Sequence, residues 1–215
     1  MCSCMIRNII WDVDGTLLDT YPAITRAFVW AMADLGAAVD GAHVLELALI
    51  GLGRCAATLA QEAALDVAAV EAAFDARYEA IPPGEQGPFP GAREVCRAVV
   101  DEGGKNAVVT HRARASTLGL LGAHGMGDLF SAVASVEDGY PKKPDPAAFL
   151  AVLRHCSLDP AQTLAVGDRE IDIRAGRAAG LRTALFGNSQ TQVEPDLRIR
   201  TYAELLPLVG WRGTP

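Results

Sequence analysis

The spacing of apolar residues changes character twice along this chain. Residues 6–13 form a short apolar run containing Ile, Trp and Val, closed by the turn pair Asp14-Gly15. Such a run predicts a strand buried on both faces. From residue 21 to about 78 the chain is rich in Ala and Leu. Its larger apolar residues recur there at helical spacing: Ile24, Phe28, Met32 and Leu35, then Leu45, Leu49 and Leu59. That stretch predicts several packed helices and no strand. Residues 81–91, crowded with proline and glycine, break all periodicity and read as a linker or hinge.

Beyond the linker, strand and helix patterns alternate. A helix is predicted over 92–102, stopped by Gly103-Gly104, then a strand over 106–110 and a helix over 113–121. A short strand follows over 131–135, and a helix begun by proline over 146–156. A strand over 163–166 runs into Gly167-Asp168, ahead of a helix over 171–179 that Gly180 stops. A strand over 183–186 and a final helix over 202–209 complete the series. Alternation of this kind predicts an α/β fold with a doubly wound parallel sheet. The expected organisation is an α/β core from 1–18 and 88–215, interrupted by a helical insertion over 19–87.

Composition narrows the function classes. Half of the 215 residues are hydrophobic and 21% are charged, so a sizeable core can form and whole-chain disorder is excluded. A net charge of -7 argues against nucleic acid or an anionic membrane as partner. An anionic small molecule would need a local cationic pocket. The five cysteines are scattered and odd in number, which fits a reducing compartment rather than a disulfide framework. Cys2 and Cys4 have no partner pair for a metal and read as part of a frayed N-terminus. With no signal-peptide pattern and no apolar membrane span, a cytoplasmic location is expected. No protein partner is predicted.

In open α/β sheets, ligands bind at the carboxyl ends of the strands. The first predicted strand ends in Asp12-Val13-Asp14-Gly15-Thr16. Residues two apart on a strand project to the same side, so both carboxylates can face one pocket, where a hard cation such as magnesium relieves their repulsion. Asp14-Gly15 can equally make only a turn, with Asp12 as a cap. The second informative strand ends at Thr110, whose hydroxyl and neighbouring amides could hold a phosphate oxygen, with His111 and Arg112 following. Lys142 and Lys143 lie between Pro141 and Pro144, which stiffen the chain and suit a lysine to a fixed charge partner. The sequence Gly167-Asp168-Arg169-Glu170-Ile171-Asp172 brings further carboxylates to a strand end, and one helix cap does not explain both aspartates. Together these features place Asp12, Asp14, Thr110, a lysine and Asp168 at one end of one sheet.

In this order, Asp12 to Thr16, Thr110, Lys142-Lys143-Pro144 and Gly167 to Asp172 resemble the four motifs of the haloacid-dehalogenase (HAD) superfamily, in its phosphoglycolate-phosphatase and β-phosphoglucomutase branch. The resemblance covers essentially the whole chain and implies a Rossmann-like core with an inserted helical cap. It makes Asp12 the nucleophile that forms an aspartyl-phosphate, and Asp14 the group that protonates the leaving oxygen and then deprotonates water. Thr110 would hold a phosphoryl oxygen. Lys143, directly before a proline as in the family, would offset the negative charge, with Lys142 in reserve. Asp12, Asp168 and the main-chain carbonyl of Asp14 would hold Mg2+, and Asp172 would support them from behind. The second aspartate separates phosphate transfer from dehalogenation, because a halide leaving group needs no proton.

The implied activity is a phosphatase acting on a small phosphorylated metabolite, with phosphoglycolate as the candidate ester. A sugar phosphomutase of the β-phosphoglucomutase kind is the alternative, and a non-catalytic phosphate-ester sensor a second one. The cap would close over the core on hinges near Asp19-Thr20 and in the 82–90 stretch. Within it, the Gly51-Leu52-Gly53-Arg54 segment reads as a loop whose Arg54 contacts substrate, or else as a helix-helix turn with a solvated arginine. His111, Tyr21 and Arg112 are further candidates beside the site.

Overall fold

Six strands pair in parallel throughout, in the order β3-β2-β1-β4-β5-β6, in the computed structural model, which describes residues 5–211. In chain order the elements are β1 (Asn8–Trp11), the helices α1 (Tyr21–Asp34), α2 (Gly41–Ile50), α3 (Leu52–Ala63) and α4 (Val67–Glu79), then α5 (Ala92–Asp101). They continue with β2 (Asn106–Val109), α6 (Arg114–Ala123), β3 (Phe130–Ala134), α7 (Ala147–Cys156), β4 (Thr163–Gly167), α8 (Glu170–Ala178), β5 (Arg182–Phe186) and β6 (Leu197–Ile199). The α/β class and the doubly wound parallel sheet are as the periodicity predicts. Cys2 and Cys4 lie outside the described residues, and Cys55, Cys96 and Cys156 are buried free thiols. No helix among the described residues is long and apolar enough to cross a membrane.

Successive side chains of the central strands feed opposite layers. Ile9, Trp11, Val108, Leu164 and Val166 join the core formed with α5 and α6. Ile10, Ala107, Val109 and Ala165 join the second core, with Phe149, Val152 and Leu153 of α7 and Ala175 of α8. This two-sided burial explains why the strands read as continuous apolar runs rather than as alternation. The turn after α5 must be glycine at its second position: a Cβ on Gly104 would lie 1.7 Å from the carbonyl oxygen of Arg7.

The chain separates into two compact units, one of residues up to Leu18 together with those from Pro88 onward, the other Asp19–Gly87. The second unit consists of α1 to α4 and has its own core, in which Phe28 stacks on Phe74 at 4.0 Å between centroids. Asp40 and Asp66 cap α2 and α4 by accepting from the backbone N–H of His43 and Ala69.

Two local expectations need correction, and one strand was not among them. Arg54 is not on a loop: the helical pattern breaks only at Gly51, and α3 resumes at Leu52 because Cys55, Ala56, Leu59 and Ala60 form a buried face that starts there. The last helix, Tyr202–Val209, is a 3-10 helix, and Pro207 inside it cannot donate the backbone hydrogen bond an α-helix needs. Strand β6 was not anticipated, since three residues centred on Arg198 are too short to show a period.

Candidate active site

The sheet order makes β2, β1 and β4 neighbours, so the residues that follow them meet at one edge. Thr110, Asp12 and Asp168 hold those positions. The Asp12 N–H donates to the Val166 carbonyl at 2.9 Å, and the Thr110 N–H to that of Ala134 at 3.0 Å, extending the ladders by one residue. Between β1 and β4 the winding direction changes, the place where such sheets leave a crevice.

At this edge Asp12, Asp168 and Asp172 form a buried cluster, each offering a carboxylate oxygen within 4.8 Å of the others. Lys143, 5% exposed, inserts its ammonium among them: Nζ lies 2.6 Å from Asp12 Oδ1, 2.5 Å from Asp172 Oδ1 and 3.2 Å from the Val109 carbonyl. Asp172, expected behind the cluster, is therefore a direct partner of the lysine. Its Oδ2 also accepts from the Arg169 N–H at 3.1 Å, which fixes it in the first turn of α8. Gly167 makes this approach possible, because a Cβ there would lie 2.2 Å from Asp172 Cβ. The Thr16 hydroxyl donates to Asp168 Oδ1 at 3.1 Å and lies 3.5 Å from Asp12 Oδ2.

Three carboxylates face the Lys143 ammonium and the Arg169 guanidinium, which lies 3.9 Å from Asp168 Oδ1, so full ionisation leaves an excess of negative charge. Burial, reinforced by Asp172, raises the Asp12 carboxyl to about 6 although Lys143 pulls it down. Burial, then Asp12 and Asp172, raises Asp168 to about 7. The lysine feels the reverse: burial alone would lower it, but Asp12 and Asp172 outweigh that and hold it above the ordinary value. A buried, oxygen-only donor set with an excess of negative charge fits a hard divalent cation such as Mg2+.

Around this cluster stand the remaining predicted residues. Asp14 faces Arg112, whose Nη2 and Nε lie 2.5 and 3.1 Å from Asp14 Oδ1. Arg112 also donates through its backbone N–H to the Thr110 hydroxyl at 3.1 Å, which leaves the hydroxyl proton available for another acceptor. His111 Nε2 accepts from the Lys143 backbone N–H at 3.0 Å, and burial followed by Lys143 lowers the imidazole to about 4. His111 is thus neutral at pH 7 and carries its proton on Nδ1. Lys142 is exposed and stays outside the cluster, so of the two lysines Lys143 is the one the structure brings to the carboxylates. Arg54 and Tyr21 lie in the helical unit, Arg54 exposed in the first turn of α3 and Tyr21 at the start of α1.

Sequence reasoning overlooked Thr16 and Tyr202. The threonine, four residues past Asp12, carried a signal in its place at the end of the first motif. The Tyr202 hydroxyl donates to the Thr16 carbonyl at 2.5 Å across 186 residues of chain, a contact without any local signature.

A family model described as haloacid dehalogenase-like hydrolase matches residues 6–180. Phosphoglycolate phosphatase from Pectobacterium atrosepticum is 31% identical over 221 residues, covering 95% of this chain and 93% of its own length. Among solved structures, CbbY from Rhodobacter sphaeroides in complex with phosphate is 26% identical with a TM-score of 0.78, covering 96% of this chain and 100% of that one. A predicted phosphoglycolate phosphatase from Haemophilus somnus shares the fold at 24% identity, with a TM-score of 0.81 and coverage of 94% and 97%. A parallel sheet with these carboxylates at its central strand ends, and relatives matched over nearly their full length, lead to one assignment: the chain belongs to the haloacid dehalogenase-like hydrolase family, on its phosphoglycolate-phosphatase-like branch, and is a phosphoric monoester hydrolase.

Proposed function

We propose that this hydrolase is magnesium-dependent and cleaves a small phosphate monoester through an aspartyl-phosphate on Asp12. The observation that carries this reading is the buried meeting of Asp12, Asp168, Asp172 and Lys143 at the ends of adjacent strands. The Asp12 carboxylate attacks phosphorus, the ester P–O bond breaks, and the leaving oxygen takes a proton from Asp14. Asp14 then accepts a proton from water, the water oxygen attacks phosphorus, and the P–O bond to Asp12 breaks. Inorganic phosphate leaves, and both aspartates return to their starting states.

The carboxylates of Asp12 and Asp168, with the main-chain carbonyl of Asp14, would hold Mg2+, which when bound neutralises charge on the phosphoryl oxygens. Lys143 adds a fixed positive charge to the same oxygens, and Asp172 with His111 keeps it in place. The Thr110 hydroxyl donates to one phosphoryl oxygen. The relatives make phosphoglycolate the first ester to try. Reading residues 19–87 as a cap, and Arg54 as a substrate contact, rests on the family resemblance. An Arg54→Ala variant with unchanged KM and unchanged ester preference would remove Arg54 from the site.

The test is phosphate release over a panel of phosphate monoesters, with magnesium and with chelator. Magnesium-dependent release that disappears in Asp12→Asn is the expected result. Release that persists with chelator, or phosphoryl transfer between sugar phosphates without hydrolysis, would overturn it.

A further inference from the structure

We propose that Arg112 determines specificity, by recognising an acid group on the part of the ester that leaves. This inference rests on the phosphatase reading above and deepens it by naming the residue that recognises the acid group of the substrate.

The Arg112 guanidinium is a preorganised carboxylate receptor. Its side chain is only 7% exposed, and Nη1 donates to the Ser116 hydroxyl at 2.8 Å, which fixes the plane of the group. Nε and Nη2 face a carboxylate with the two-point geometry that guanidinium offers to planar acids. That carboxylate is Asp14, whose side chain is 20% exposed and so marks the outward side of the fork. A second carboxylate arriving from outside meets the same donors.

Position decides which part of the substrate would arrive there. Arg112 holds the Thr110 hydroxyl with its backbone N–H and Asp14 with its side chain. Thr110 is assigned to the phosphoryl group and Asp14 to the leaving oxygen. The guanidinium therefore stands beside the leaving group. A carboxylate close to the ester oxygen can take the fork from Asp14 and release the Asp14 side chain to turn towards that oxygen. An ester of the same size without the acid group leaves Asp14 tied to Arg112. The arginine thus gives acid-bearing esters both a binding contact and a correctly placed Asp14.

The experiment compares kcat/KM for 2-phosphoglycolate and 2-hydroxyethyl phosphate, which differ in having or lacking the carboxylate. The wild-type protein is compared with Arg112→Leu, Arg112→Lys and Ser116→Ala. Wild type should favour the acid ester by about tenfold or more, as sites built to pair a polar group do against an analogue lacking it. The preference should fall towards one in Arg112→Leu. It should be intermediate in Arg112→Lys, which keeps the charge but not the fork, and should weaken in Ser116→Ala, which keeps the arginine but frees its plane. A purely structural ion pair would lower both esters equally and leave the ratio unchanged. No preference in wild type, or an unchanged ratio in Arg112→Lys and Ser116→Ala, would overturn the inference. Magnesium-dependent release that Asp12→Asn abolishes would still stand in that case, so failure of the specificity claim is separable from failure of the phosphatase reading.

Discussion

At Gly167 a single hydrogen atom in place of a methyl group lets Asp172 reach Lys143. A Cβ at that position would fall 2.5 Å from Asp172 Cγ as well as 2.2 Å from its Cβ, so the α8 turn would have to move. Gly167→Ala is expected to lower kcat by about a hundredfold, the size of loss associated with roughly 1 Å misplacement of catalytic groups. Steady-state rates, with circular dichroism to show the fold retained, check this. Lys143 acts on the same cluster by charge. Lys143→Met leaves buried carboxylates without their counter-ion and is expected to cost about 3–5 kcal/mol at neutral pH as well as most of the activity; urea unfolding measures the first. Individual roles were unevenly legible at this scale. Asp12, Asp14 and Asp168 stand at strand ends that periodicity can find, whereas Lys143 is preferred to Lys142 only through the family resemblance, whose lysine directly precedes a proline. Tyr202 could not be found, because its partner Thr16 is distant in sequence.

Among the elements, the strands and helices of the α/β core were legible because each buries a face, and burial imposes a period. Where burial does not dictate the pattern, the sequence was silent: β6 is an edge strand of three residues, and Pro207 turns the last helix into a 3-10 helix. The segment carrying Lys143 shows how a loop is fixed by contacts from other elements, one of them through its backbone. Its backbone N–H donates to His111 Nε2, beyond the end of β2. His111→Leu is expected to lower kcat by tenfold or so, in the range of supporting residues around a site. His111→Gln, whose amide oxygen reaches about as far as Nε2, should retain most of it. Equal losses in both variants would show that this hydrogen bond does not hold the loop. The same imidazole has its folded pKa lowered to about 4, mainly by burial and then by Lys143, so the unfolded chain binds the proton more readily. Its contribution to stability is complete above the ordinary histidine range and is lost as pH falls from there towards 4.

For the molecule as a whole, the acidic balance of -7 includes a buried cluster of three carboxylates, Asp12, Asp168 and Asp172. Asp12 and Asp168 have folded-state pKa values raised above the unfolded ones, to about 6 and about 7, chiefly by burial. Without metal, the stability these two groups contribute is fully present below the ordinary carboxylate range and is lost as pH rises through 6 to 7. On the proposed reading magnesium binds both in their ionised form, so it should raise Tm more at pH 8 than at pH 5. Thermal unfolding with magnesium and with chelator at the two values checks this. A magnesium shift that was the same at both, or larger at pH 5, would remove these carboxylates from the metal site. The division into two units follows from the same separation of patterns that the sequence shows, since each unit closes its own apolar core.

If phosphate passes through a covalent bond to Asp12, borohydride added during turnover should trap that bond. An acyl phosphate is reduced by borohydride to an alcohol, so peptide mass spectrometry should find homoserine at position 12, only when magnesium and a hydrolysable ester are both present. Phosphate release without reduction at position 12, or reduction at a different carboxylate, would contradict the claim.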